Sequence, residues 1–371
     1  MIRVTTNGTL YTYQKNLLKS TNQLYSAMNA MMTGRNFDTY AADPAAATRA
    51  FKLHSSLNAT NAQAANNTTV YNKFSTAWDV ADDMINDLVT DLAQVPTLEA
   101  LNDPTGLSTL NTEGQIVFSG AEAVVQSLNN KYDNNFIFGG TDTKNPPFAI
   151  VTENGKSYVT YRNVRLDDPD PAYYQKPYVD AEGNNITKAD GTLMTNQEMI
   201  DSWADEHQYV DIGIGFTVKD GKVVDSTAFD AAISGAEFVG GAGLDEDGDP
   251  KNIVSIMVRL SEIFQDYDED SGTWGNAGDK EDAARLMGKL TAAQDNLSAQ
   301  HTALDTQSKF LKTNLEQLNS SFASMNTELD GIEKVDEVEA ILALSWAQTS
   351  YNAAIQVGAN VIPQSLMDYL N

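Results

Sequence analysis

The sequence predicts a mainly α protein with an inserted β-rich (α+β) domain, its N- and C-terminal segments forming a long antiparallel helical rod or coiled coil. Three observations predict it. Apolar residues recur every seven positions near both ends, a period that favours long helices packed along a seam. From about 134 to 250 that pattern yields to alternating or β-branched runs around Asn-Gly and Asp-Gly pairs. Charge follows the same division. Residues 1–60 hold six basic and two acidic side chains, whereas 140–285 hold 12 and 29, within a net charge of −27.

The elements follow in chain order. Leu10, Leu17, Leu24 and Met31 are spaced by seven, with Thr21 and Met28 beside them, and predict a helix over about 5–33 that Gly34 stops. Arg35 to Ala42 reads as a loop. Asp43-Pro44 reads as an N-cap with Pro at the first helical position, opening a helix to about Leu92. Its buried stripe is Val70, Phe74, Ala77, Ala81, Met84 and Leu88. Pro96 and Pro104 bound a loop, and a third helix, about 107–132, buries Leu110, Val117, Ala121, Val124 and Leu128.

Asn154-Gly155 and Asp220-Gly221 predict hairpin turns among candidate strands 148–152, 157–162, 209–211 and 214–218. Thr195 and Glu198 form a capping box for a short helix to about Glu206. Residues 167–192 and 240–250 read as loops, with Val239 to Gly243 a flexible one. Helix resumes at about 251–266 and again over about 283–331. That last helix carries Leu290, Leu297, Leu304, Leu311, Leu318, Met325 and Ile332 at strict spacings of seven. The stripe four residues on is polar in Gln294, His301 and Ser308, then apolar in Leu315, Phe322 and Leu329. The phase breaks after Gly331, which places a joint at 331–334. A terminal helix, about 335–361, follows with Ile341, Leu344, Tyr351 and Ile355, then Ile362 before Pro363. The expected division is 1–33 with 335–371, 34–145 with 251–334, and an outer acidic segment 146–250.

Composition excludes several function classes. The absence of Cys removes disulfides and thiolate chemistry. The acidic balance argues against nucleic acid and anionic membrane as partners. No run of 18 apolar residues is present to span a bilayer, and the polar start is unlike a secretory signal. His54, His207 and His301 are far apart in sequence, and no phosphate loop, dinucleotide fingerprint or nucleophile elbow occurs. The runs Asp245, Asp247, Asp249 and Asp266, Asp268, Asp270 alternate like a calcium loop. The first has Pro250 and Ile256 where Gly and a bidentate acid are needed, and the second has a late Gly272 and Ala277. Both read as solvated acidic loops, and neither a metal nor a cofactor is expected.

Four segments carry a family resemblance: Arg3-Val4-Thr5-Thr6-Asn7; Met32-Thr33-Gly34-Arg35 with Asp43-Pro44-Ala45; Asn135-Phe136-Ile137-Phe138-Gly139-Gly140-Thr141 with Pro147-Phe148; and Gln364 to Leu370. Together they resemble the flagellin superfamily, and most closely the flagellar hook–filament junction proteins. Val210 to Gly215 and Ala228-Phe229-Asp230 are also similar to some members, whereas Ala42 departs from the two acids that often precede the proline. The resemblance implies a structural protein rather than an enzyme, with Gly34, Arg35, Asp43, Pro44, Phe138, Gly139 and Gly140 as motif positions. It implies that Leu10, Leu17, Leu24, Met31, Ile341, Leu344, Tyr351, Ile355 and Ile362 drive coiled-coil assembly. The implied partners are the preceding hook-associated junction protein, flagellin, copies of the chain in a ring, and an export chaperone. The implied location is the extracellular flagellum, reached through type III export without a cleaved signal. Filament flagellin itself is the alternative.

Overall fold

A computed structural model describes residues 6–102, 109–180, 182–188 and 190–361. They pack as two compact units, one of residues up to Ala62 with those from Leu318 onward, the other of Gln63–Gln317. The fold is mainly α with a small β-rich region, as the sequence predicts.

In chain order the first helices are α1 (Thr6–Thr33), α2 (Pro44–Asp83), a π-helical stretch (Met84–Gln94), α3 (Val95–Asn102) and α4 (Leu110–Leu128). The strands β1 (Lys131–Tyr132), β2 (Asn135–Phe136), β3 (Phe148–Glu153), β4 (Lys156–Tyr161) and β5 (Val164–Arg165) follow. Then come α5 (Pro171–Tyr174), α6 (Asn196–Ala204), β6 (Tyr209–Val210), β7 (Val218–Lys219), β8 (Lys222–Val223) and β9 (Phe229–Asp230). The chain closes with α7 (Gly235–Phe238), α8 (Ile253–Gln265), α9 (Asp279–Glu333) and α10 (Glu337–Val361).

The caps behave as their chemistry requires. Asp43 Oδ1 accepts from the Ala45 and Ala46 amides at 3.1 and 3.0 Å, with Pro44 at the first helical position. Thr195 and Glu198 close the capping box that starts α6. Asn252 caps α8 through the Ser255 amide at 2.8 Å.

Helix continues past Pro96, where a loop was expected. The amide of Val95 bonds the Thr90 carbonyl five residues back, and Pro96 falls in the first turn of α3, where a missing N–H costs nothing. Pro104 lies outside the described residues. Gln294 of α9 binds the π turn at the Ile85 carbonyl, which also accepts from Thr90 Oγ1 at 2.8 Å. The Gln294 amide donates to Ile85 O at 3.2 Å and to Thr90 Oγ1 at 2.8 Å, while Gln94 donates to Gln294 Oε1. Two turns on, His301 stacks on Trp78 with ring centroids 4.7 Å apart. Two of the polar residues of that stripe thus pack on the 78–94 segment, Gln294 on the π turn and His301 on α2 just before it.

The core of the 63–317 unit lies between α4 and α8. Leu110, Val117, Ala121, Val124 and Leu128 meet Ile253, Ile256, Met257, Leu260 and Phe264 there, all nearly or fully buried. Leu290, Leu297, Leu304 and Leu311 of α9 extend the same core. The β-rich segment joins it. β3 pairs antiparallel with β4 in the register Phe148↔Tyr161 to Glu153↔Lys156, and β4 with β5. Asn154-Gly155 and Asp220-Gly221 turn their hairpins with positive φ as expected. Asp133-Asn134 and Arg162-Asn163 do the same without glycine. The expected strand 214–218 is displaced: β6 pairs with β9, and β7 begins only at Val218.

Packing therefore draws its lines elsewhere than the three-part division read from the sequence. Phe148, Tyr161, Trp203, Ile212, Phe229 and Phe238 bury their side chains in the same core as the helices, so 146–250 is no separate body. Gln63 and Asn66 of α2 and Asn314 of α9 bind the 211–212 segment directly. The glycine-rich run is also fixed, with the Gly241 amide on Ala236 O and that of Gly243 on Leu166 O, both at 2.7 Å.

Candidate assembly surface

Within the unit formed by the chain ends, α1 and α10 lie antiparallel. Ser20 Oγ reaches Ser350 Oγ at 3.4 Å, and Gly358 sits so close to the Tyr13 ring that a Cβ there would overlap it. The α1 side of the seam is Leu10, Tyr13, Leu17, Ser20, Leu24 and Ala27. The α10 side is Ala340, Leu344, Ala347, Tyr351, Ala354 and Gly358. Leu10, Leu17, Leu24, Leu344 and Tyr351 thus face the seam.

Three other residues expected there do not. Met31 is 41% exposed, Ile341 51% and Ile355 46%. Ile362 lies outside the described residues, as do Arg3 to Thr5 and Gln364 to Leu370 of the motif segments. Sequence reading chose Ile341 and Ile355 beside Leu344 and Tyr351, but in place of the two isoleucines the seam takes alanines. Alanine every seven residues at 340, 347 and 354 lets the backbones approach closely, which turns Ile341 and Ile355 outward.

A second apolar stripe runs along α1 one position over from the seam. Tyr11, Leu18, Tyr25 and Met32 are also spaced by seven and are 62–79% exposed. On α10, Val338, Leu342 and Trp346 are exposed as well. Pairing of α1 with α10 leaves both faces uncovered, and contiguous exposed apolar faces mark interaction sites.

Gly34 and Arg35 lie at the paired breaks of this unit. Gly34 ends α1 at φ +68, with its amide on Ala30 O at 2.9 Å. Arg35 forms an antiparallel bridge with Lys334. Asn36 Nδ2 donates to the Ile332 and Lys334 carbonyls, both at 2.9 Å, capping the end of α9. The break falls at Lys334 to Asp336 rather than at Gly331, which stays inside α9. Asp336 caps α10 through the Val338 amide at 2.8 Å.

Phe138, Gly139 and Gly140 form a clamp in the other unit. The buried Arg162 guanidinium holds Glu206 through two bonds of 2.7 and 2.9 Å and also donates to the Gly139 carbonyl. It lies 5.4 Å from the ring centroids of both Tyr161 and Trp203. Gly140 has φ +62, and a Cβ there would fall 2.6 Å from Glu206 Oε2 and 2.8 Å from an Arg162 nitrogen. Phe138 is fully buried, its ring 4.9 Å from that of Phe238.

Asp245, Asp247 and Asp249 converge, but the first acidic run is not merely solvated. Lys289 Nζ sits among the three carboxylates at 2.6, 2.9 and 2.6 Å, and Arg285 Nε binds Asp249 at 2.7 Å. The chain itself supplies the cation that such a cluster attracts. Asp245 and Asp249 are held below the ordinary carboxylate range by these partners, which outweigh their desolvation. In the second run Asp268 accepts from the Asp270 and Ser271 amides, a local turn. His54 pairs with Glu333 and His207 with Asp230. Among the described residues, no helix is long and apolar enough to cross a membrane.

Neither a family model nor a curated protein sequence matches the chain. Solved structures do. A putative flagellar hook-associated protein from Vibrio parahaemolyticus is 11% identical, aligns over 79% of this chain and 100% of its own, and has a TM-score of 0.52. Bacillus cereus FlgL is 15% identical over 75% and 99%, with a TM-score of 0.42. Xanthomonas campestris FlgL is 13% identical over 73% and 99%, with a TM-score of 0.35. The likeness to the Vibrio protein is one of fold.

Proposed function

We propose that this chain is a structural subunit of the bacterial flagellum that joins the hook, through the preceding hook-associated junction protein, to the flagellin filament. One observation carries the reading: the α1–α10 pair keeps a second, uncovered heptad stripe at Tyr11, Leu18, Tyr25 and Met32. Burying one large apolar side chain stabilises by about 1.5–3 kcal/mol, so neighbours that cover four of them gain several kcal/mol before association costs. The fold shared with a putative flagellar hook-associated protein and the four motif segments support the same reading.

In this role copies of the chain form a ring through their terminal helices, while the acidic surface of 146–250 stays in water. The chain leaves the cell unfolded through type III export, with its C-terminal helix held by a chaperone beforehand. A chain without Cys forms no disulfide that would obstruct such passage.

Deletion of the gene tests the proposal. Hooks without filaments, and flagellin lost to the medium, are the expected result. Loss of the major filament protein itself would make this chain the flagellin, and normal filaments with normal swimming would refute a flagellar junction role.

A further inference from the structure

We propose that the cleft between α2 and the β1–β2 hairpin is a modification site, where Lys73 condenses with a small hydroxylated aldehyde to form an imine. The site lies wholly within the 63–317 unit and is independent of the assembly role.

The cleft holds about 380 Å³, room for a small organic molecule. Its wall is apolar, with Val70, Phe136 and Ile137 buried. Its mouth is polar, with the Asn66 and Gln208 amides and the Thr69 hydroxyl on exposed residues. Lys73 lines the cleft half-buried, and its Nζ donates to the Ala231 carbonyl at 2.7 Å. Among the described residues no carboxylate bonds this amine. Asp230 acts on it through its charge, but that carboxylate is already taken by His207 at 2.6 Å and by the Gln208 and Ala232 amides at 2.9 and 3.0 Å. Burial outweighs the pull of Asp230 and lowers the Lys73 ammonium to about 8. At pH 7 it then carries on the order of a hundred times more free amine than an ordinary lysine. A lysine desolvated in this way is an activated nucleophile.

The surroundings select the electrophile. The Nζ lone pair attacks the carbonyl carbon and a C–N bond forms. The amine gives up its two protons, and the former carbonyl oxygen takes them and leaves as water. The resulting imine takes one proton from solvent and becomes an iminium. An apolar wall favours the loss of water, and the step needs neither a leaving group nor a cofactor. The iminium also keeps the single positive charge that Asp133 in the cleft and Asp230 beside it favour. Acyl transfer would erase that charge, and a bound anion would meet both carboxylates. The amides and hydroxyl at the mouth match hydroxyl groups on the aldehyde.

Glyceraldehyde with cyanoborohydride tests the site on the full chain. The hydride reduces each imine to a secondary amine, and mass spectrometry of the digested chain reads which lysines are labelled. At pH 7 Lys73 should label at least about tenfold faster than the exposed Lys52 and Lys312, the weaker basicity of its amine taking back part of the hundredfold. Its lead over those two should shrink when propanal, which lacks hydroxyls, replaces glyceraldehyde. Thr69→Trp, which narrows the mouth, should slow labelling of Lys73 and leave Lys52 and Lys312 unchanged. Labelling of Lys73 no faster than that of Lys52 and Lys312 overturns the proposal. An equal lead with propanal overturns the hydroxylated class, and a folded Thr69→Trp chain that labels Lys73 at the parent rate overturns the cleft as the binding site. Should that variant lose its circular dichroism, the two aldehydes on the unaltered chain still decide.

Discussion

Replacing Gly140 with Ala tests whether the Phe-Gly-Gly segment acts as a clamp. Two costs add there. Gly140 sits at φ +62, and a left-handed conformation costs an L-residue roughly 1–2 kcal/mol. The new Cβ also falls 2.6 Å from Glu206 Oε2 and 2.8 Å from an Arg162 nitrogen, so the two partners must separate. Their side chains are only 19% and 8% exposed, and breaking a buried pair costs about 3–5 kcal/mol, less whatever the site recovers by relaxing. Gly155 supplies the control. It has φ +80 but nothing within 4 Å of its added Cβ, so Gly155→Ala bears the backbone cost alone. In urea unfolding followed by tryptophan fluorescence and circular dichroism, Gly140→Ala should destabilise by at least about 2 kcal/mol more than Gly155→Ala. Equal losses would refute the clamp and leave the glycine there for its backbone alone.

Three further outcomes follow from the same structure. Leu17→Asp and Leu344→Asp each place a charge in the α1–α10 seam, at a cost of several kcal/mol, and should block assembly while the 63–317 unit stays folded by circular dichroism. Normal swimming of the double mutant would contradict it. Lys289→Ala leaves Asp245 and Asp247 without their cation and Asp249 with Arg285 alone, and should cost about 2 kcal/mol at pH 7. Because Asp245 and Asp249 titrate below their ordinary value when folded, the parent's advantage should hold above about pH 4 and vanish as pH falls through the folded values. A loss that persists undiminished in acid would refute the ion-pair account. Asp167 has the opposite sign: burial raises its carboxyl to about 6, so the fold favours the protonated form and stability falls as pH rises from about 4 through 6. Asp167→Asn keeps an oxygen to accept from the Val159 amide, and should remove that slope and stabilise at pH 7 by up to about 3 kcal/mol; an unchanged slope in unfolding titrations counts against it.

The sequence made the long helices legible because a seven-residue period is a strong, redundant signal. The leucines from Leu290 to Leu318 are buried along α9 as their spacing requires. Turn chemistry was legible where glycine marked it, at Asn154-Gly155 and Asp220-Gly221. It was silent at Asp133-Asn134 and Arg162-Asn163, where non-glycine residues take positive φ. Arg162 adopts φ 46 beside the bonds that fix its guanidinium between Glu206 and Gly139. Those partners lie 44 and 23 residues away, and no local pattern announces them. The helix past Pro96 was hidden for a related reason. A proline reads as a stop in an α-helical register, and the π turn that moves it into a new first turn depends on Gln294, some 200 residues away.

The terminal helices show why the seam was only half read. Hydrophobicity ranks Ile341 and Ile355 above Ala340 and Ala354, so a search for apolar stripes selects the larger residues. Packing ranks them differently, because small side chains allow close approach and the seam of α10 is built on alanine and Gly358. The same choice explains how one helix pair keeps two surfaces. If α10 met α1 through its large residues, the pair would bury its strongest apolar groups internally and leave little for neighbours. By meeting through alanines opposite Leu17 and Leu24, it holds Trp346, Leu342 and Val338 outside, while the stripe from Tyr11 to Met32 lies one position over from the α1 seam. A stripe displaced by one residue at every seventh position has no use in a two-helix pair. It has one where each helix meets two others, and that demand for a second neighbour joins the sequence period to the proposed assembly.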